Sequence, residues 1–160
     1  MEYTFLTEKF YNDYPHEQYE QMEIKDNRPY AHVQVEVYNQ LFCIPLRSHI
    51  DHPHAFFTNK KDHCGVDYSK AVIINDDDYI DKSRKVFLRN DEYKKLRGKD
   101  YIIKKQFMDY IELYKQAKSD ETVVHRDNIL KFSTLQYFED YIYTDSDTNI
   151  SEENTEDATT

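Results

Sequence analysis

Glycine is nearly missing from this chain. Gly65 and Gly98 are the two among 160 residues, where average usage of roughly 7% would place about 11. Phosphate loops of the GxGxxG, GxxxxGKS or GxxxxGKT kind need several glycines a few residues apart, so nucleotide-loop enzymes are excluded. Tryptophan is absent, and Cys43 and Cys64 form neither a CxxC pair nor a disulfide framework. Free thiols in a reducing cytoplasm are therefore expected. No apolar run approaches the roughly 20 residues of a membrane span. The opening Met-Glu-Tyr-Thr-Phe-Leu lacks a basic stretch followed by an apolar one. Neither membrane insertion nor a signal peptide is expected.

Aromatic residues are abundant instead. Fifteen tyrosines and nine phenylalanines point to an aromatic core and to stacking surfaces. Thirty-one acidic against 21 basic residues leave a net charge of −10, but the charge is segregated. Residues 144–160 carry six acids, no base and no aromatic. Such a segment cannot bury enough surface to offset its ordering entropy, so an acidic disordered tail is expected there. Residues 1–143 are left as one domain. Inside it, residues 82–105 hold ten bases against Asp91, Glu92 and Asp100. That is either a footprint for phosphates or a solvated helical face.

Periodicity predicts an α+β chain. Ala31 to Val37 alternates as a half-buried strand. Asn39-Gln40 reads as a turn and Leu41 to Leu46 as the partner strand, with Pro45 marking an edge or bulge. Tyr3 to Leu6, His54 to Phe57, Lys70 to Ile74 and Lys85 to Leu88 read as further strands, with Gly65 in a polar loop. Asn90 reads as the cap of a short helix ending at Gly98. Ile103, Phe107, Tyr110, Ile111 and Tyr114 recur at helical spacing and predict an amphipathic helix over about 100–118. Ser133 reads as the cap of a last helix with Leu135, Phe138 and Ile142 inward. Strands first and helices later imply an antiparallel sheet.

The densest polar cluster is Arg47-Ser48-His49-Ile50-Asp51-His52-Pro53-His54. RNA cleavage without a metal needs a base for the 2′-OH, a cation or donor for the phosphorane and an acid for the leaving 5′-oxygen. These residue types can supply all three. The same histidines, with His63 and Cys64, could instead ligate a metal, although the spacing fits no common zinc pattern. Arg28 can take a phosphate and Tyr30 can stack or donate, and Lys60-Lys61 follow the aromatic pair Phe56-Phe57.

Taken in order, Arg28-Pro29-Tyr30, a strand, Ile44-Pro45-Leu46-Arg47-Ser48-His49 and His54-Ala55-Phe56-Phe57 resemble the ToxN/AbiQ family, toxins of type III toxin–antitoxin systems. The segment from Gly65 to Ile74 is similar to the family's glycine-containing loop and central strand. The resemblance spans about residues 1–143 and is nearest to the CptN branch. It implies a compact, twisted antiparallel sheet or barrel similar to the MazF/Kid toxins, flanked by helices. It also implies a metal-independent, cofactor-free endoribonuclease that leaves a 2′,3′-cyclic phosphate. The inhibitor would be a pseudoknot RNA, cut by the toxin from a repeat precursor and assembled with it into a closed complex. Substrates would be cellular or phage RNA in the cytoplasm. In the family's Pro-Leu-Thr-Ser-Pro-Lys stretch, Ser48 matches the serine, while Arg47, His49 and Ile50 stand in place of the threonine, the second proline and the lysine. The resemblance thus implies Arg47 as charge stabiliser and His49 or His52 in proton transfer. Tyr30 replaces a family lysine, with Arg28 compensating. RNA would be held by Arg28, Lys60, Lys61, Lys82, Arg84, Lys85, Arg89, Lys94, Lys95 and Arg97. The competing readings are a protein-inhibited MazF-like toxin, a non-catalytic RNA-binding module and a histidine-ligated metal hydrolase.

Overall fold

The structure, a computed structural model, describes residues 1–24 and 29–143. Arg28 and the acidic segment 144–160 lie outside the described residues. Seven antiparallel strands make one sheet: β1 (Tyr3–Leu6), β2 (His32–Val37), β3 (Gln40–Arg47), β4 (Ala55–Asn59), β5 (Cys64–Asp67), β6 (Val72–Ile73) and β7 (Ile80–Asp81). Among the described residues five helices accompany them: α1 (Glu8–Asp13), α2 (Asn90–Leu96), α3 (Asp100–Ser119), α4 (Arg126–Phe132) and α5 (Glu139–Ile142). The expected α+β class with an antiparallel sheet is present. The sheet is not a barrel. Its order is β4-β5-β3-β2-β1-β7, and its end strands β4 and β7 do not pair with each other. With two residues, β7 is also too short to carry a closing ladder.

The long hairpin organises the rest. Val33, Val35 and Val37 of β2 are buried in the alternation the sequence predicts. The turn falls on Tyr38 and Asn39, both at positive φ, one residue earlier than expected, and Val37 pairs with Gln40. Two successive left-handed residues give the hairpin turn whose twist suits its strands. Cys43 and Ile44 are buried in succession along β3 because that strand is covered on both sides. Pro45 sits opposite His32. The Leu46 N–H donates to Ala31 on the β2 side. The Pro45 nitrogen therefore faces the other edge, in the gap between β6, which pairs Phe42 and Cys43, and β5, which pairs Leu46 and Arg47. A residue without an N–H costs no ladder bond there.

The structure departs from four expectations. Gly65 lies in β5, not in a loop, opposite Arg47 and Phe57. Lys85 to Leu88 forms no strand and lines a cleft instead. Asn90 is the first residue of α2 rather than its cap, which is Arg89, with no side-chain capping bond. Gly98 has φ of 73°, the left-handed turn that closes α2 and that glycine adopts without a Cβ clash. The last helix is broken into a tight turn capped by Ser133, which accepts from the Leu135 N–H, and the short α5.

One core runs from Leu6 in β1 to Ile142 in α5. The predicted stripe on α3 is buried, with Ala117 extending it. Phe107 packs edge-on against Phe42 at 4.9 Å and tilted on Tyr68 at 5.9 Å. Burying such a ring is worth about 2–3 kcal/mol. Tyr110 and Tyr114 keep their hydroxyls satisfied by donating to Ser133 and Glu139.

His32 is a core histidine with a measurable consequence. Its Nδ1 lies 3.0 Å from the Tyr30 carbonyl oxygen. A carbonyl can only accept, so Nδ1 carries the proton. Burial pushes the ring down from 6.5 to about 4, against the smaller upward pull of that bond. Between those pH values the unfolded chain binds a proton at this position and the folded chain does not. Stability from His32 is therefore complete above pH 6.5 and is lost as the pH falls toward 4. Thermal melts over that window should show a slope that His32→Gln flattens. An equal slope in the variant would assign the dependence to another group.

Candidate active site

The end of β3 and the segment 85–92 enclose a cleft of about 570 Å³. Tyr30, Arg47 and Ser48 line it, together with Lys85, Phe87, Arg89 and Glu92. Tyr30 enters from just before β2, held there by the bond from His32 to its carbonyl. Arg47 is the last residue of β3, and Ser48 follows it, exposed. The three catalytic candidates near the strand ends are thus brought together with two cations from the basic segment.

Beneath the cleft lies a buried polar network. Arg47, 18% exposed, donates to Asp67, which is fully buried, and its Nη2 lies 2.9 Å from Glu23. Its side chain also bonds Tyr30. Burial alone would lower the guanidinium, but Asp67 and Glu23 outweigh it and hold Arg47 above its ordinary value. Its Nε is buried with no partner among the described residues. Two carboxylates therefore match the one charge expected to stabilise a phosphorane. By contrast, neither Lys85 nor Arg89 makes an ion pair among the described residues.

Asp67 is shared. Its Oδ1 accepts from the Ser69 hydroxyl at 2.6 Å and the Ser69 N–H at 3.0 Å, and lies 3.1 Å from His52 Nε2. Burial pushes the Asp67 carboxyl up, but His52, Ser69 and Arg47 together hold it below the ordinary value. His52 Nδ1 accepts the His54 N–H at 3.1 Å. That leaves the proton on Nε2, directed at Asp67 and the Ser69 hydroxyl. Both His52 nitrogens are engaged, and the ring does not line the cleft. Its place fits support of Asp67 better than proton transfer. His54 stacks on His52 at 5.6 Å and leans on Tyr110 at 5.4 Å. Burial lowers its pKa, with His52 adding to the effect.

His49 is exposed at φ 57° and His63 at φ 54°. Histidine is among the residues enriched in that left-handed region; His63 lies in the β4–β5 turn and His49 two residues beyond β3. Neither lines the cleft. Among the described residues no group of three or more His, Cys, Asp or Glu side chains is arranged to hold a metal ion.

The remaining cations spread outward. Lys82, Arg84 and Lys85 line a second hollow of about 490 Å³ with Tyr3, and Lys85 and Val86 are common to both hollows. Arg84 Nε is 2.6 Å from Asp81, and its guanidinium lies 4.9 Å from the Phe5 ring centroid. Lys94 and Lys95 on α2, Arg97 beyond it, and Lys60 and Lys61 in the β4–β5 turn are exposed and line neither hollow.

Glu92 and Lys70 had no signal in the sequence. Glu92 counts there only as a charge opposing the basic run, yet it is the one carboxylate lining the cleft among the described residues. Burial pushes its carboxyl above the ordinary 4.5, with Arg89 pulling it back. Lys70 donates to Gln21 and to the Phe132 carbonyl, both at 2.8 Å, and burial lowers its pKa. Cys43 is buried, and burial pushes its thiol up to about 12, so it is inert.

Compared with models of known protein families, with curated proteins and with solved structures, the chain matches none. Among the described residues no helix is long and apolar enough to cross a membrane.

Proposed function

We propose that this chain is a metal-independent endoribonuclease, the toxin of a type III toxin–antitoxin pair. It would cut cellular or phage RNA in the cytoplasm and be held by a pseudoknot RNA that it processes itself, in a closed protein–RNA assembly. The proposal includes an open-sheet likeness to the MazF and Kid toxins. One observation carries it: the cleft gathers Tyr30, Arg47 and Ser48 with Lys85, Arg89 and Glu92. In this reading Lys85 and Arg89 bind the scissile phosphate, and the Ser48 hydroxyl donates to a phosphoryl oxygen. The Glu92 carboxylate takes the proton of the 2′-OH, and the 2′-oxygen attacks phosphorus. The bond from phosphorus to the 5′-oxygen breaks, and that oxygen leaves with a proton from the Tyr30 hydroxyl. A 2′,3′-cyclic phosphate remains. Arg47 donates to Tyr30 and thereby polarises its O–H. Arg47 is then a positioning residue as much as a charge.

The test is cleavage of single-stranded RNA in excess chelator, with the product ends identified by mass spectrometry. Cyclic phosphate ends are expected. Because burial raises the Glu92 carboxyl above 4.5, the rate should fall with decreasing pH while the pH is still above that value. Glu92→Gln should lower the rate by about tenfold or more and remove that limb. Binding without cleavage would identify a non-catalytic RNA-binding module. Activity lost in chelator and restored by a divalent ion would favour the metal hydrolase. An unchanged limb in the variant would remove Glu92 as the base.

A further inference from the structure

The cleft contains a side chain that none of these roles uses. Phe87 is 83% exposed, the highest value among the large hydrophobic residues described. Single exposed apolar residues are common and need no explanation. Phe87 differs in its surroundings. It lines the cleft with Lys85 on one side in sequence and Arg89 on the other. Lys85 Nζ stands 5.8 Å from its ring centroid. Leu88 packs against the core and Val86 is half-buried, while the ring between them is turned out to solvent. An exposed aromatic face between two cations matches one ligand in both halves: the base stacks on the ring, and the flanking phosphates meet the cations.

We infer that Phe87 is a stacking platform for one unpaired base of single-stranded RNA, next to the phosphate held by Lys85 and Arg89. This rests on the cleft being an RNA site and adds how a strand is gripped there. Stacking tolerates any base, so Phe87 selects unpaired against paired RNA rather than one base against another. A base inside a duplex has both faces covered by its neighbours and cannot reach the ring without unstacking.

The experiment uses the full chain and a 2′-O-methyl oligonucleotide, which cannot be cleaved because it has no 2′-OH. It carries one 2-aminopurine, and binding is followed by fluorescence quenching and by anisotropy. Phe87→Leu keeps an apolar side chain at an exposed position and should leave the melting temperature unchanged. It is expected to weaken binding about tenfold and to abolish part of the quenching, while Phe87→Tyr retains both. A duplex of the same sequence should bind the unchanged protein more weakly and show no difference between protein and variant. Equal binding and equal quenching by Phe87→Leu would overturn the platform while leaving the RNA cleft standing. No binding by the unchanged protein would overturn the cleft and the platform together. A change in oligomeric state on Phe87→Leu with unaltered RNA binding would make the ring a contact between copies of the chain, which also overturns the inference.

Discussion

Asp67→Ala is expected to destabilise the fold by about 3–5 kcal/mol, the cost of breaking a buried ion pair by removing one partner. Asp67 is fully buried, and Arg47 is mostly so. Without the carboxylate, the Arg47 guanidinium keeps Glu23 and Tyr30 among the described residues, and the hydroxyl of Ser69 and Nε2 of His52 lose the oxygen between them. The turn over Tyr68–Lys70 also loses its cap, since Asp67 accepts the Ser69 N–H. The melting temperature should fall by roughly 10–20 °C. Because the folded carboxyl is held below 3.8, its contribution is present above that pH and is lost as the pH falls through the lowered value. Stability near neutral pH therefore carries the full effect. The double variant Arg47→Met with Asp67→Leu should recover part of the loss, because it removes the unpaired Arg47 charge while Ser69 and His52 still lack their acceptor. If the proposed cleavage takes place at this cleft, it should not recover in the double variant, since Tyr30 loses its donor. A single variant that melts like the unchanged protein would mean that water reaches the pair.

Gly65→Ala is expected to cost about 3 kcal/mol, the upper end for an overpacked site. A Cβ at Gly65 would stand 2.2 Å from the Phe56 carbonyl oxygen and 2.9 Å from the Phe57 Cα. Both obstacles are backbone, so no rotamer change relieves them. The ladder between β4 and β5 has to shift, and β5 is also paired to Arg47 through Gly65 itself. The variant should therefore lose cleft geometry as well as stability. Urea unfolding measures the first loss, and RNA binding by the remaining folded protein measures the second. Gly98→Ala is the control: it places a Cβ in open space at a left-handed position. Its cost should be about 1 kcal/mol, from backbone strain alone. Equal costs at both glycines would show that the sheet yields easily at Phe56.

Elements with a strong local period were legible from the chain. The β2–β3 hairpin and α3 follow from alternation and from the helical stripe, because one buried face imposes a repeat on the residues that cover it. Elements without a period were not. β5 contains Gly65 and only one long apolar residue, Val66, and it is a strand because β3 and β4 pair with it on both edges. Lys85 to Leu88 has strand composition and no partner strand among the described residues, so it forms no ladder and lines the cleft. A ladder depends on its neighbour as much as on its own residues.

The site divides in the same way. Composition alone excluded a glycine-rich phosphate loop, and chain order placed Tyr30, Arg47 and Ser48 as candidates at strand ends. Those conclusions need only residue types and their spacing. What the histidines do is a tertiary fact. His52 is committed to Asp67 and to the His54 N–H, His49 is exposed at a left-handed position outside the cleft, and His32 is locked in the core. Whether a ring can move a proton depends on which partners occupy its nitrogens; the His54 N–H and the Tyr30 carbonyl are two residues away, but Asp67 and Ser69 reach His52 from another element. Tertiary packing also decided that the charge of Arg47 would be matched by Asp67 and Glu23, 20 and 24 residues away in sequence. Glu92 and Phe87, inconspicuous in a basic stretch, acquire meaning only because that stretch folds back over the end of β3. Electrostatic and stacking roles depend on distances of a few ångströms, and a sequence does not contain them until the sheet has set which segments meet.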